Sequence, residues 1–318
     1  MADAVATLAS WSEERVRVGD VLDALDGLRR QAARQLGATR ASVLTLVIVG
    51  ADRAALDQAQ LAVHELGDHH PARVLTLLLA PSGDGLDAEV RLAGDSGVWF
   101  EEIALAVGGG GVGHLDSLIE PFTISDLPVV VWFVDDVPSA TDPLLSAADV
   151  LMVDARSLGD VECFPRLALL TRRLPVVDLS WSRLRPWRDL LGGLFEAAPF
   201  RPFLQSVERV EVSGKTGPRH LLGGWLAERL RLPSDAVHLT AAEHVGLRVV
   251  AGDGAAVFEV TRPGDERVVR ASATIAGGPS TTALVRLQRR TPAWGLNDAL
   301  SRLEHDPVYE HALRRALP

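Results

Sequence analysis

The chain has 318 residues, 47% of them hydrophobic, enough to supply two domains with a core each. Its net charge of -10 argues against a general nucleic-acid or anionic-membrane binder, and its single cysteine, Cys163, excludes an internal disulfide, a thiol-pair switch or a metal–thiolate centre. No apolar run approaches the ~20 residues of a membrane span, and Asp3, Glu13, Glu14 and Asp20 stand where a secretory leader would be apolar, so the expected location is the cytoplasm.

In chain order, 20–36 places Val21, Leu25, Leu28, Ala32 and Leu36 on one stripe and predicts an amphipathic helix. Ser42 to Val49 predicts a buried strand, Asp52 to Leu66 a helix capped by Asp52, and Ala72 to Leu79 a second buried strand, together a crossover unit of a parallel sheet. Leu86 to Leu92 predicts an antiparallel edge strand, Glu101 to Val107 a further strand, and 114–122 a short helix after a glycine loop. Leu127 to Val134 is an unbroken apolar run bounded by turn residues, the pattern of a strand buried on both faces at the centre of a fold. Asp149 to Val153 predicts one more parallel strand. From 164 the pattern becomes helix, short strand, helix, strand, helix. Five short strands then follow between 237 and 287, spaced by Gly, Pro and Asp as in an antiparallel meander, and two helices close the chain. The predicted class is α/β: an N-terminal three-layer domain with a mainly parallel sheet over 1–162, followed by a C-terminal α+β domain with an antiparallel sheet over 163–318.

Gly108, Gly110 and Gly113 fit G-x-G-x-x-G between a strand and a helix, with Asp135 at the end of the next strand where a ribose-binding acid would stand. Four consecutive glycines match such a pattern easily and the following helix is stopped by Pro121, so a plain loop is the favoured reading and no cofactor is expected. Gly214-Lys215-Thr216 ends like a phosphate-binding loop, but Arg209 stands where its first glycine belongs. His64, Asp68, His69 and His70 cluster at a helix end, where histidines commonly stand without a metal, and none is expected. No serine pairs with a histidine and an acid at recognisable spacing, so no catalytic set is assigned.

Asp178 to Leu191 (DLSWSRLRPWRDLL) is the most unusual stretch by composition. Its Trp181, Arg183, Arg185, Trp187 and Arg188 are of the residue types that dominate interface hot spots, and they are the candidate partner-binding residues, with a buried role for the tryptophans as the alternative. HPARV (His70 to Val74), H-x-D-S (His114 to Ser117), PF-x-x-x-DLPVVVWF (Pro121 to Phe133), the Trp/Arg stretch and GGWLAERL (Gly223 to Leu230) occur in this order. Together they resemble the glucose-6-phosphate dehydrogenase assembly protein family, OpcA. The resemblance implies a non-catalytic protein that binds glucose-6-phosphate dehydrogenase and promotes its active oligomer in the oxidative pentose phosphate pathway, with neither nucleic acid nor membrane as partner. The alternatives are a nucleotide-dependent enzyme using Gly108 to Gly113 and a sugar-phosphate-binding sensor.

Overall fold

A computed structural model of the chain describes residues 6–36, 39–40, 42–66, 72–80, 82–95, 98–159, 161–262, 267–287 and 292–316. The chain divides into two units, one of residues 1–153, 174–177 and 291–304, the other of residues 154–173, 178–290 and 305–318.

The first unit runs β1 (Ala6–Glu13), α1 (Val18–Leu36), β2 (Thr39–Arg40), β3 (Leu44–Gly50), α2 (Arg53–Leu66), β4 (Ala72–Ala80), β5 (Leu86–Asp95), β6 (Val98–Gly108), α3 (Leu115–Ile119), β7 (Val129–Phe133), α4 (Leu144–Ala147) and β8 (Val150–Val153). Its sheet has the order β1-β5-β6-β4-β3-β7-β8, continued by β9 (Val176–Asp178), with β2 attached to β6. From β6 through β4, β3 and β7 to β8 every pairing is parallel, whereas β5 is antiparallel to both β1 and β6. The predicted edge strand is therefore second from the edge. The strand outside it, β1, is one the sequence pattern does not announce.

Adjacent side chains of a strand point to opposite faces, and β6 shows it with two consecutive glutamates. Glu101 meets Arg29 of α1 at 2.6 Å, and Glu102 meets His64 of α2 at 2.5 Å, so helices lie on both faces of the sheet. Such cover explains why every residue of β3 and β7 is buried. Val21, Leu25, Leu28 and Ala32 are the buried stripe of α1. Asp52 caps α2 as predicted, its carboxylate accepting the Ala54 N–H at 2.9 Å. Glu101 is fully buried and is shared by two arginines: Arg29, and Arg73 of β4, whose Nε donates to it at 2.6 Å while Nη1 donates to the Phe122 carbonyl at 2.6 Å.

The second unit contains α5 (Phe164–Leu170), α6 (Leu179–Arg183), α7 (Arg185–Glu196), β10 (Val207–Gly214), α8 (Thr216–Leu230), β11 (Val237–Ala241), β12 (Gly246–Ala251), β13 (Ala256–Thr261), β14 (Val268–Ile275) and β15 (Ser280–Arg286). Of the two closing helices, α9 (Pro292–Leu300) belongs to the first unit and packs on α2, and α10 (Pro307–Arg315) to the second and packs on α8. The sheet order is β11-β10-β12-β13-β14-β15. From β10 to β15 through β12 it is antiparallel, but β11 pairs with β10 in parallel, because helix α8 carries the chain back across the sheet between them. The buried face carries Val249, Phe258, Val260, Ala271 and Ala273, and Phe195 of α7 stacks on Phe258 with ring centres 4.0 Å apart. Gly224 lets α8 meet α10 closely: a Cβ there would lie 2.1 Å from the Ala312 carbonyl oxygen.

Candidate functional site

Asp178 starts the Trp/Arg stretch by capping α6, its Oδ1 accepting the Ser180 N–H at 2.8 Å. Leu184, in right-handed helical conformation, separates α6 from α7, and Pro186 occupies the first turn of α7, where its missing N–H costs no hydrogen bond. Trp181 and Trp187 are both buried. The Trp181 indole N–H donates to Asp306 at 2.8 Å, its ring lies 5.8 Å from that of Tyr309, and the Arg188 guanidinium stacks over it at 3.4 Å. Trp187 lies in a separate environment, with Arg262 4.8 Å over its ring. Arg183 is ion-paired with Asp154, and Arg185, half-exposed, is 3.9 Å from Asp189. The tryptophans are thus core residues of this chain, and the arginines form the more accessible layer above them.

Beneath this stretch lies a polar network. Asp154 accepts from Ser180 Oγ at 2.6 Å, from Arg183, and from the Arg156 N–H at 3.1 Å. Burial alone would push its carboxyl up, but the Arg183 charge and these hydrogen bonds hold it below the usual range. Asp178 accepts the Ala155 N–H at 3.2 Å and the Tyr309 hydroxyl at 3.2 Å. Burial and the neighbouring Asp154 charge push Asp178 up to about 6, and burial and Asp178 push Tyr309 well above its ordinary value. An acid raised in the folded state contributes stability that is complete below its unfolded pKa and is lost as pH rises through its folded one. Relative to Asp178→Asn, the wild type is therefore expected to lose on the order of 2–3 kcal/mol between about pH 4 and 6.5. Denaturant melts of both chains across that range check this, and a constant difference would show that Asp178 titrates normally.

A cavity of about 510 Å³ adjoins the same stretch. Arg156, Arg183, Lys215, Arg262 and Arg267 line it, with Glu243 the one carboxylate among the described lining residues. Sequence reasoning singled out Arg183 and Lys215 of this set for other reasons and missed the rest, because they arrive from separate segments brought together only by folding.

The glycine motif is placed differently. Numbered among themselves in chain order, β6, β4, β3, β7, β8 and β9 stand 3-2-1-4-5-6, the doubly wound order whose ligand crevice opens between the first and fourth of these strands. Gly108 ends β6 and Gly109 to Gly113 follow it, and β4 and β3 separate that strand from β7, after which Asp135 comes. Gly108 is required by close packing, since a Cβ there would lie 2.5 Å from the Gly83 backbone. Asp135 does stand at the crevice, where its Oδ2 accepts the Ala51 and Asp52 N–H groups, both at 2.7 Å. The helix start that would hold a phosphate thus carries the protein's own carboxylate. Gly214-Lys215-Thr216 joins the end of β10 to the start of α8, the strand-to-helix place its spacing predicts. Asp68, His69 and His70 fall outside the described residues, among which no group of three or more His, Cys, Asp or Glu could hold a metal ion. Cys163 is buried, and no helix of the described residues is long and apolar enough to cross a membrane.

Two family models match, both describing a "glucose-6-phosphate dehydrogenase subunit": the model of its N-terminal domain covers residues 63–192, and the model of its C-terminal domain covers residues 174–313. Two curated relatives, each named "Putative OxPP cycle protein OpcA", come from Synechocystis sp. and Nostoc punctiforme. Each is 24% identical, over 51% and 52% of this chain, and the matches span 38% and 39% of the relatives' own lengths. Among solved structures, the transcriptional regulator Gal80p from Kluyveromyces lactis is similar at 10% identity and a TM-score of 0.46, with 87% of each chain covered. An oxidoreductase from Sinorhizobium meliloti is similar at 11% identity and a TM-score of 0.48, covering 87% of this chain and 95% of its own. Likeness at that level says nothing about activity. The two family models, which between them run from residue 63 to residue 313 and take in the whole Trp/Arg stretch, show that the chain belongs to the OpcA family.

Proposed function

We propose that this protein binds glucose-6-phosphate dehydrogenase and promotes its active oligomer, without catalysing a reaction itself. The observation that carries the reading is the match of both domain models of the dehydrogenase-associated family. The contact we assign is the arginine layer of α6 and α7, Arg183, Arg185 and Arg188, the last of them stacked on Trp181. A guanidinium held over a ring, as that of Arg188 is, keeps its forked geometry, which suits bidentate hydrogen bonds to carboxylates on a partner.

Arg185→Ala combined with Arg188→Ala tests this contact. The contacts seen for these two are a long, solvent-screened pair of Arg185 with Asp189, and for Arg188 the stacking on Trp181 and a 3.4 Å hydrogen bond to the Trp181 carbonyl, so the melting temperature of the isolated chain should fall by a few degrees. Affinity for the dehydrogenase should fall about thirtyfold or more, as for two central hot-spot residues. Co-purified mass and dehydrogenase activity are the readouts. Full binding by a normally melting double variant would remove this face from the interface, and saturable NADP binding to the isolated chain would favour an enzyme instead.

A further inference from the structure

We propose that the cavity beside Trp187 binds a small phosphate ester. The chain carries a net charge of -10, yet Arg156, Arg183, Lys215, Arg262 and Arg267 converge here around a single carboxylate among the described lining residues. A concave, low-dielectric wall concentrates such a field and attracts an anion. One side of the cavity is the first turn of α8, a 15-residue helix that begins after Lys215 with no side-chain cap. Its orphan N–H groups and dipole add to the positive potential.

Two pairings seen at the wall bear on a ligand. Arg183 is committed to Asp154 and orients the wall. Lys215 has a 3.6 Å contact with Glu243, whose side chain is 73% exposed, an ion pair weak enough for a phosphate dianion to replace. Trp187, 3% exposed, adds part of its ring to the wall. The cavity volume lies in the range of small-molecule sites and far exceeds one phosphate group. Leu184, Val245 and Leu287 supply apolar wall for a carbon skeleton, so the chemistry that fits is a phosphorylated sugar or similar ester.

The test is calorimetric titration of the isolated full-length chain with a hexose 6-phosphate, glycerol 3-phosphate, inorganic phosphate and the unphosphorylated hexose. An ester should bind saturably, at least tenfold tighter than inorganic phosphate, and the bare hexose should not bind. Lys215→Ala with Arg267→Ala should weaken the ester at least tenfold, and Glu243→Gln, which removes the opposing charge from an exposed position, should tighten it severalfold. Absence of saturable ester binding, equal affinity for ester and inorganic phosphate, or an affinity unmoved by Glu243→Gln would each overturn the proposal. That last arm holds even if the double variant fails to fold. No dehydrogenase is present in the assay, so failure of the partner reading leaves this result unaffected.

Discussion

Val130→Asp is expected to leave this protein insoluble. Val130 is fully buried in β7, the strand between β3 and β8, and it stands opposite Leu46 on one neighbour and Val150 on the other. A carboxylate placed there has no partner and no water, and the cost of several kcal/mol approaches the roughly 5–15 kcal/mol that hold a whole domain together. Val130→Ala is the control: it should remain soluble, with a loss of about 1–3 kcal/mol from the cavity it leaves. Expression followed by fractionation and thermal melting separates the two. Wild-type-like melting of Val130→Asp would mean that the strand is exposed and the sheet order wrong.

Glu101→Ala is expected to cost about 3–5 kcal/mol, more than almost any surface change, because it strands the buried Arg73 guanidinium without its counterion. Arg29, partly solvated on α1, can turn to water and to Asp26. Arg73, 4% exposed, cannot. The discriminating comparison is Arg73→Met with Glu101→Leu, which removes both charges and keeps the volume. That pair should melt much closer to the wild type than Glu101→Ala alone, since burying an ion pair brings little net stability while breaking one is costly. Equal melting of the single variant and the wild type would show that solvent reaches the cluster.

These two variants mark what was and was not legible in the sequence. Val130 sits in an apolar run whose composition alone announces a doubly covered strand, and the stripe of α1 and the Asp52 cap were equally plain because they depend on neighbours a few residues away. Glu101 was not legible: its partners lie 28 and 72 residues distant, and nothing local distinguishes it from Glu102, which faces His64 on the opposite side of the sheet. The same reason hid β1, whose alternating ATLASWSE is weak until β5 pairs with it, and the parallel direction of β11, which depends on a helix crossing rather than on the residues of the strand. Within the Trp/Arg stretch, one-residue spacing correctly separated the surroundings of Trp187 and Arg188. The stacking of Arg188 on Trp181 joins residues seven apart, which helical periodicity puts on one face.

The passage of the chain between its two units has a consequence for synthesis on the ribosome. Helix α9, with Leu296 and Ala299 buried, belongs with α2 in the first unit, although residues 154–173 and 178–290 of the other unit emerge before it. Nascent chains are made at about 5–20 residues per second, so the first unit waits on the order of ten seconds with the surface that α9 covers still open. During that interval α2 offers an apolar surface to chaperones or to other nascent chains, and yield of active protein should depend on elongation rate as well as on the stability of the finished fold.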